Sequence, residues 1–157
     1  MTKVDYVSLA NSVAALTKGE DDLVALMATV ACEVHHADAR FDWTGFYRNV
    51  GRDMLKIGPY QGHHGCLQIP FSRGVCGAAA RTGKAQLVDE VINFPGHIAC
   101  ASSTRSELVL PIFDRSGTLL GVFDIDSDKP RAFTQLDADN LAAILTSVFA
   151  RVIFGKE

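Results

Sequence analysis

Apolar residues recur every three or four positions near both ends of the chain, which predicts amphipathic helices there. The first helix follows Thr2 and Asp5, whose spacing resembles a capping box. Its apolar stripe consists of Tyr6, Leu9, Ala10 and Val13. A second helix begins near Asp21 with the stripe Leu23, Leu26, Met27, Val30 and Val34. The last helix begins at Thr134, with Asp137 three residues later, and repeats the stripe at Leu141, Ile144, Leu145, Val148 and Val152.

The middle of the chain alternates between apolar and polar positions, which predicts strands. Residues 41–48 form the first strand, with Phe41, Trp43, Gly45 and Tyr47 on one face. A strand at 54–57 completes a hairpin with it, and residues 107–113 and 118–126 form a second hairpin. Between these hairpins we expect a short helix at 74–82 and a short strand at 86–88.

These elements predict an α/β (α+β) fold in a single domain covering residues 1–157. A mainly antiparallel sheet carries the terminal helices on one face. Residues 61–106 are rich in Gly, His, Cys and Pro and would form a loop-rich roof over the other face. Such an arrangement tends to leave a pocket between the sheet and its roof.

Composition narrows the classes of function. The chain of 157 residues is 48% hydrophobic and 21% charged, which is typical of a folded globular protein. A net charge of −3 without a Lys/Arg cluster gives no support for nucleic-acid binding. The N-terminus lacks the apolar region of a signal peptide, and no apolar run is long enough to span a membrane. We therefore expect a cytoplasmic protein, in which four cysteines favour buried thiols, metal ligands or catalytic groups over structural disulfides.

Three of the cysteines, Cys66, Cys76 and Cys100, lie in the loop-rich segment. Cys100 has the surroundings of a nucleophile, because His97 and Arg105 would favour its thiolate. Cys76 stands at the start of the predicted helix 74–82, where the helix dipole would lower the pKa of a thiol. One nucleophilic thiol with one or two mobile partner thiols indicates a cycle of disulfide formation. Cys32 lies opposite the apolar stripe of the second helix and is interpreted as a small buried apolar side chain.

A zinc site is the alternative interpretation of this segment. The side chains that could bind the ion are His63, His64, Cys66, Cys76, His97 and Cys100. Structural zinc sites usually contain at least one closely spaced pair of ligands, and the sequence has no CxxC or HxxxH pattern. The residues therefore favour redox chemistry over metal binding.

Acidic residues end the last predicted strand. Asp124 and Asp126 lie about 7 Å apart on one face of it, after Leu120 and Val122, and Glu107 opens the neighbouring strand. Carboxyl groups crowded into a partly apolar pocket repel one another, which raises the pKa of at least one and makes it a proton donor. They would also bind an ammonium group. Trp43 and Tyr47 would wall the pocket and hold a small cation or a methyl group, unless both are ordinary core aromatics.

Six segments together resemble the free methionine-(R)-sulfoxide reductases, a family built on a GAF domain. The segments are DWTGFY (42–47), GPYQG (58–62), CLQIPFSRGVCG (66–77), FPGHIAC (94–100), SELVLPI (106–112) and GVFDIDS (121–127). The resemblance implies that Cys100 is the nucleophile, Cys66 the resolving cysteine and Cys76 a third redox cysteine. It further implies a substrate pocket formed by Trp43, Tyr47, Glu107, Asp124 and Asp126.

The activity implied by this resemblance is reduction of free methionine-(R)-sulfoxide to methionine, in the response to oxidative stress. Thioredoxin would be the reductant, no metal or organic cofactor would be required, and the protein would be a homodimer. The resemblance leaves open which of the three carboxyl groups donates the proton. The alternative is a GAF module that binds a ligand or senses thiol oxidation without turning over a substrate.

Overall fold

The computed structural model describes residues 3–155, which contain four α-helices and six strands. In chain order these elements are α1 (Tyr6–Leu16), α2 (Leu23–His35), β1 (Trp43–Asn49), β2 (Met54–Gln61), β3 (Gln68–Pro70), α3 (Gly74–Thr82), β4 (Gln86–Val88), β5 (Ser106–Phe113), β6 (Leu119–Ser127) and α4 (Gln135–Phe149). A single 3-10 turn at Val91–Asn93 lies between β4 and β5. None of these helices is long and apolar enough to cross a bilayer.

The helices begin where a side chain accepts a hydrogen bond from a free backbone N–H. The carboxylate of Asp5 accepts from the N–H of Ser8 and caps α1, whereas Thr2 lies outside the described residues. Asp22 caps α2 in the same way. The predicted start of α4 at Thr134 is confirmed, and Thr134 and Asp137 form a capping box in which each accepts a bond from the other's backbone N–H.

One antiparallel sheet has the strand order β3-β2-β1-β6-β5-β4. The predicted hairpins, the short helix and the strand β4 are confirmed. Strand β2 extends to Gln61, four residues beyond its predicted end, and β3 was not predicted at all. With three residues and a proline, β3 is too short to show alternation, and it lies at the edge of the sheet where a proline is tolerated.

The two faces of the sheet bury different groups. One face packs on α2 and α4, and α1 packs in turn on these two helices. Together they form the helix-side core, whose members include Val13, Leu26, Met27, Val30, Val34, Phe41, Phe46, Phe123, Ile125, Leu145 and Phe149. The other face forms the cavity-side cluster, which consists of Trp43, Tyr47, Leu55, Ile69, Val75, Cys76, Ala79, Ala80, Val109 and Val122. The terminal helices therefore share one face, as predicted. Helix α3 lies on the other face.

Two face assignments from the sequence are wrong. Phe41 precedes β1 and packs in the helix-side core, against Phe133, so it does not share a face with Trp43. Leu120 also belongs to the helix-side core, although Val122, two residues later, faces the cavity. A register shift near the start of β6 explains this, because Ile112 pairs with Gly121 but Phe113 pairs with Leu119. The extra residue of such a bulge reverses the alternation of faces.

Candidate active site

A cavity of about 30 Å³ lies between the cavity face of the sheet and the loops that roof it. Strands β1, β5 and β6 supply its floor, and the first turn of α3 supplies one wall. The side chains that line it include Trp43, Tyr47, His64, Val75, Cys76, His97, Cys100, Glu107, Asp124 and Asp126. The fold thus gathers seven of the eight predicted site residues around one cavity, and a disulfide attaches the eighth, Cys66.

Strand register brings the acidic groups together. Glu107 on β5 pairs directly with Asp126 on β6, and Trp43 on β1 pairs with Asp126 from the other side. Asp124 is two residues away on the same face of β6, opposite Gly45. The absence of a side chain at Gly45 leaves space beside Asp124 for the indole of Trp43, which would collide with a β-carbon there. Three carboxyl groups and one aromatic ring therefore share a small area of the sheet.

Burial perturbs the carboxyl groups. Glu107 is 7% exposed and Asp124 is 4% exposed. Loss of hydration raises the pKa of Asp124 to about 6, although hydrogen bonding with Glu107 and Cys76 opposes the rise. Burial, followed by the negative charges of Asp124 and Asp126, raises the pKa of Glu107 well above its usual range. Burial and the charge of Asp124 do the same for the pKa of Asp126. The cluster therefore retains protons at a pH where exposed carboxyl groups are ionised.

One oxygen of the cluster is unpartnered. The Oδ1 atom of Asp124 is buried and has no hydrogen-bond partner among residues 3–155. A buried carboxylate oxygen normally has such a partner, because desolvation without compensation is unfavourable. No lysine or arginine is among the described residues that line the cavity. Among the described lining residues, therefore, neither a lysine nor an arginine balances the carboxyl groups.

The structure contradicts the prediction that the Cys76 thiol has a lowered pKa. It lies in the first turn of α3, as predicted, and its Sγ donates a hydrogen bond to Oε1 of Glu107 over 3.8 Å. Burial raises the pKa of this thiol well above its ordinary value, and the charges of Asp124 and Glu107 raise it further. These effects outweigh the helix dipole, which is a modest contribution at any helix terminus. Cys76 is thus held as a neutral thiol, and the prediction of a lowered pKa is wrong.

A disulfide joins Cys66 and Cys100 across the roof of the cavity, with their Cα atoms 5.2 Å apart. Cys66 lies in the loop between β2 and β3, and Cys100 lies in the loop between the 3-10 turn and β5. Both residues are only partly buried. A backbone hydrogen bond from Gly74 to Gly96 ties the second loop to α3. The roof is therefore a covalent bridge between two loops, and solvent reaches part of it.

The two basic residues expected to assist Cys100 differ in their positions. His97 lines the cavity, where burial lowers its pKa and favours the neutral imidazole. Arg105 is exposed and forms an ion pair with Glu90, with 2.6 Å between Nη2 and Oε1. Its guanidinium charge is therefore paired with a surface carboxylate, and Arg105 is not among the described residues that line the cavity. Its support for the Cys100 thiolate stays a prediction.

Aromatic rings form the other wall of the cavity. Trp43 stacks on Tyr47 with ring centroids 5.8 Å apart, and on Tyr60 with centroids 5.2 Å apart. Its indole N–H donates to the backbone oxygen of His63 over 2.8 Å, which links β1 to the roof. Tyr60 was not predicted, because it lies just beyond the predicted end of its strand. Gly65 was also missed. A β-carbon there would lie 2.8 Å from the hydroxyl oxygen of Tyr47.

Four of the six side chains proposed as zinc ligands, His64, Cys76, His97 and Cys100, line the cavity, but the six do not form a metal-binding cluster. Two of them, Cys66 and Cys100, are joined in the disulfide. Cys76 instead lies with Glu107 and Asp124, and these three form the only group of three or more candidate metal ligands in the part of the chain that the structure describes. Cys32 remains apart on α2, where its sulfur lies 3.8 Å from Nδ1 of His36.

Comparison with known proteins agrees with this architecture. Residues 17–150 match the GAF domain family. Protein YtsP of Bacillus subtilis is 41% identical over 134 residues, 85% of this chain and 82% of the relative. The free methionine-R-sulfoxide reductase of Escherichia coli is 35% identical over 143 residues, 91% of this chain and 86% of the relative.

A solved structure supports the same assignment. The free methionine-R-sulfoxide reductase of Neisseria meningitidis, in complex with its substrate, superposes with a TM-score of 0.87 at 37% identity. The match covers 93% of this chain and 87% of that one. Similarity of this extent in sequence and fold leads to one assignment: the chain belongs to the free methionine-(R)-sulfoxide reductase family of GAF-domain proteins.

Proposed function

We propose that this protein reduces free methionine-(R)-sulfoxide to methionine through a thiol–disulfide cycle. The observation that carries the proposal is the Cys66–Cys100 disulfide at a cavity that also holds three protonatable carboxyl groups. Reduction of a sulfoxide needs a nucleophilic thiol, a proton donor for the oxygen and a second thiol to complete the electron transfer. The cavity and its roof supply all three kinds of group.

Cys100 acts as the nucleophile in this cycle. Its thiolate attacks the sulfoxide sulfur while a carboxyl group protonates the oxygen. The hydroxyl group passes to the Cys100 sulfur, methionine leaves reduced by two electrons, and Cys100 becomes a sulfenic acid. The thiol of Cys66 then displaces water from that sulfenic acid and forms the disulfide.

The carboxyl groups divide the remaining work according to their pKa values. Glu107, whose pKa is raised well above its usual range, retains its proton at neutral pH and donates it to the sulfoxide oxygen. Asp124, with a pKa of about 6, is mostly ionised there, and its unpartnered oxygen accepts the ammonium group of the amino acid. Asp126 assists either the proton donation by Glu107 or the binding of the ammonium group by Asp124. Trp43 and Tyr47 pack on the methyl group of the substrate.

The size of the cavity indicates when the substrate enters. About 30 Å³ is room for little more than one water, whereas a cavity of roughly 150 Å³ is needed for a molecule such as benzene. In the disulfide form the space under the roof is therefore smaller than an amino acid, although the cavity is partly open to solvent. Reduction of the Cys66–Cys100 bond would release both loops and admit the next substrate.

Thioredoxin is the proposed reductant. A dithiol protein can attack the Cys66–Cys100 disulfide because both residues are partly exposed. Cys76 is buried and faces Glu107, so we assign it no part in the first exchange and propose that it takes part in a later one. We also propose that residues 1–157 act as one domain in the cytoplasm and form a homodimer, as the family resemblance implies.

The test follows NADPH oxidation by the purified protein with thioredoxin, thioredoxin reductase and each epimer of free methionine sulfoxide. We expect turnover with the R epimer alone and its loss in Cys100→Ser. Cys32→Ser is the matched control, because Cys32 lies on α2 away from the cavity, and it should retain full activity.

Two results would contradict the proposal. An active Cys100→Ser variant would remove the assigned nucleophile. A wild-type protein that cycles between dithiol and disulfide with thioredoxin, yet consumes neither epimer, would instead be a GAF module that senses thiol oxidation.

A further inference from the structure

Cys76, Glu107 and Asp124 form a three-sided group at the floor of the cavity. One ligand atom from each residue lies within 4.8 Å of the other two, and the Cys76 sulfur is 3.8 Å from Oε1 of Glu107. Around a tetrahedral zinc ion, a sulfur and an oxygen ligand lie about 3.6 Å apart, given bond lengths of roughly 2.3 and 2.1 Å. The Cys76–Glu107 spacing is close to this value, and the other spacings, which are at most 4.8 Å, would shorten as the three groups close around one ion.

A second observation points to a missing cation. Asp124 is 96% buried, yet its Oδ1 atom finds no hydrogen-bond partner within residues 3–155. The described cavity lining contains three carboxyl groups and no lysine or arginine. A cation at this position would satisfy the free oxygen and relieve the repulsion among the carboxylates.

We propose that Cys76, Glu107 and Asp124 bind one thiophilic divalent cation, of the Zn²⁺ or Cd²⁺ type, at the floor of the cavity. The thiol ligand selects this class over Mg²⁺ and Ca²⁺, which prefer oxygen ligands. Binding displaces the thiol and carboxyl protons to solvent as the metal–ligand bonds form. The cavity beside these three groups, about 30 Å³ when empty, has room for a water as a fourth ligand.

The proposed cation site does not depend on the reductase activity. Its ligands also differ from the six candidate zinc ligands that the sequence suggests. Cys66 and Cys100 take no part in it, so it exists in the disulfide form. An ion bound there would occupy the same floor that a small ligand of the cavity contacts. Cation binding would therefore compete with any such ligand.

The experiment uses the full chain carrying Cys32→Ser, purified with the Cys66–Cys100 disulfide intact, so that Cys76 is the only thiol among the four cysteines. Equilibrium dialysis measures bound Zn²⁺, and the ultraviolet absorption of the cadmium–thiolate bond reports contact with sulfur. We expect one ion per chain. The cadmium–thiolate band should vanish when Cys76→Ser is added, and affinity should fall at least tenfold in Asp124→Asn and in Glu107→Gln.

Asp139→Asn is the matched control, since Asp139 is an exposed carboxylate on α4, and it should bind as the parent does. Circular dichroism establishes that each variant is folded, and Glu107→Gln provides the decisive comparison if Cys76→Ser does not fold. Absence of bound metal at micromolar concentration would overturn the proposal. So would a cadmium–thiolate band that persists without Cys76, or equal binding by Asp124→Asn and Asp139→Asn. None of these results bears on sulfoxide reduction, which has its own readout.

Discussion

The two faces of the sheet differ most clearly along β6, where successive residues point in opposite directions. Phe123 and Ile125 face α1, α2 and α4 and are completely buried among apolar side chains. Asp124 and Asp126, their neighbours in sequence, face the cavity. The apolar face gains free energy from burial, whereas the acidic face loses some by desolvating its carboxyl groups. The same strand therefore carries the carboxyl groups that destabilise the folded state and the apolar side chains whose burial offsets that loss of free energy.

This comparison predicts that a change on the cavity face alters activity far more than stability. Glu107→Gln keeps the shape of the side chain but removes the proposed proton donor. We expect kcat/KM for free methionine-(R)-sulfoxide to fall by about 10²–10⁴-fold, the usual contribution of a general acid. Stability at pH 7 should not fall, because the variant no longer has to bury an ionisable group.

The coupled thioredoxin assay and urea unfolding measure these two quantities for Glu107→Gln. Glu20→Gln, an exposed counterpart on the surface, should match the wild type in both. Normal activity in Glu107→Gln would show that another group protonates the sulfoxide oxygen.

On the helix-side face of the sheet, we expect a substitution to lower stability far more than activity. Phe123 packs against Phe46 with ring centroids 4.8 Å apart, and Phe46 in turn contacts Phe149 of α4. Phe123→Ala should lower the free energy of unfolding by about 3–5 kcal/mol, through lost burial and the resulting void. The matched control, Phe113→Ala, removes a ring that is 40% exposed and should cost far less.

Urea unfolding compares these two phenylalanine variants, and activity is then assayed under conditions where each is folded. Folded Phe123→Ala should retain its kcat. A stability loss no larger than that of Phe113→Ala would mean that the helix-side core is not the main source of stability.

Local patterns in the sequence account for the scaffold better than for the site. Helical spacing and alternation predict α1, α2, α4 and the central hairpins, because each pattern reports burial of its own segment. The assignment of Leu120 fails since a bulge depends on pairing with the neighbouring strand. The prediction for the pKa of Cys76 fails for a similar reason. Burial raises this pKa, and the charges of Asp124 and Glu107, which are far away in sequence, raise it further. The six resemblance motifs point to residues that the fold gathers at one cavity, but they do not give the protonation states of those residues.

The pH dependence of stability tests the electrostatic side of the comparison. Asp124 has an ordinary pKa of 3.8 and a raised pKa of about 6 in the folded protein. The folded state therefore binds its proton more tightly, so this group favours folding below pH 3.8, and that contribution is lost as the pH rises to 6. The Asp124→Asn variant has no carboxyl group here and so does not lose stability in this way. The free energy of unfolding of the variant, relative to that of the wild type, should therefore rise between pH 3.8 and 6 and then level off.

Urea unfolding at intervals of pH provides this measurement for Asp124→Asn, and Asp139→Asn again serves as the exposed control. A difference between Asp124→Asn and the wild type that stays constant over this range would contradict a raised pKa for Asp124.

The smallest expected effect concerns α2, which belongs to the helix-side core. Asp22 accepts a hydrogen bond from the N–H of Ala25 over 2.8 Å and caps the helix, whereas its neighbour Asp21 is exposed and is not the cap. Asp22→Ala should lower stability by about 1 kcal/mol, and Asp21→Ala should lower it by less. Both variants should keep full reductase activity, because neither residue lies on the cavity face. Urea unfolding and the coupled assay check the pair, and a loss of activity in Asp22→Ala would show that α2 supports the cavity through the sheet and that the two faces are not independent.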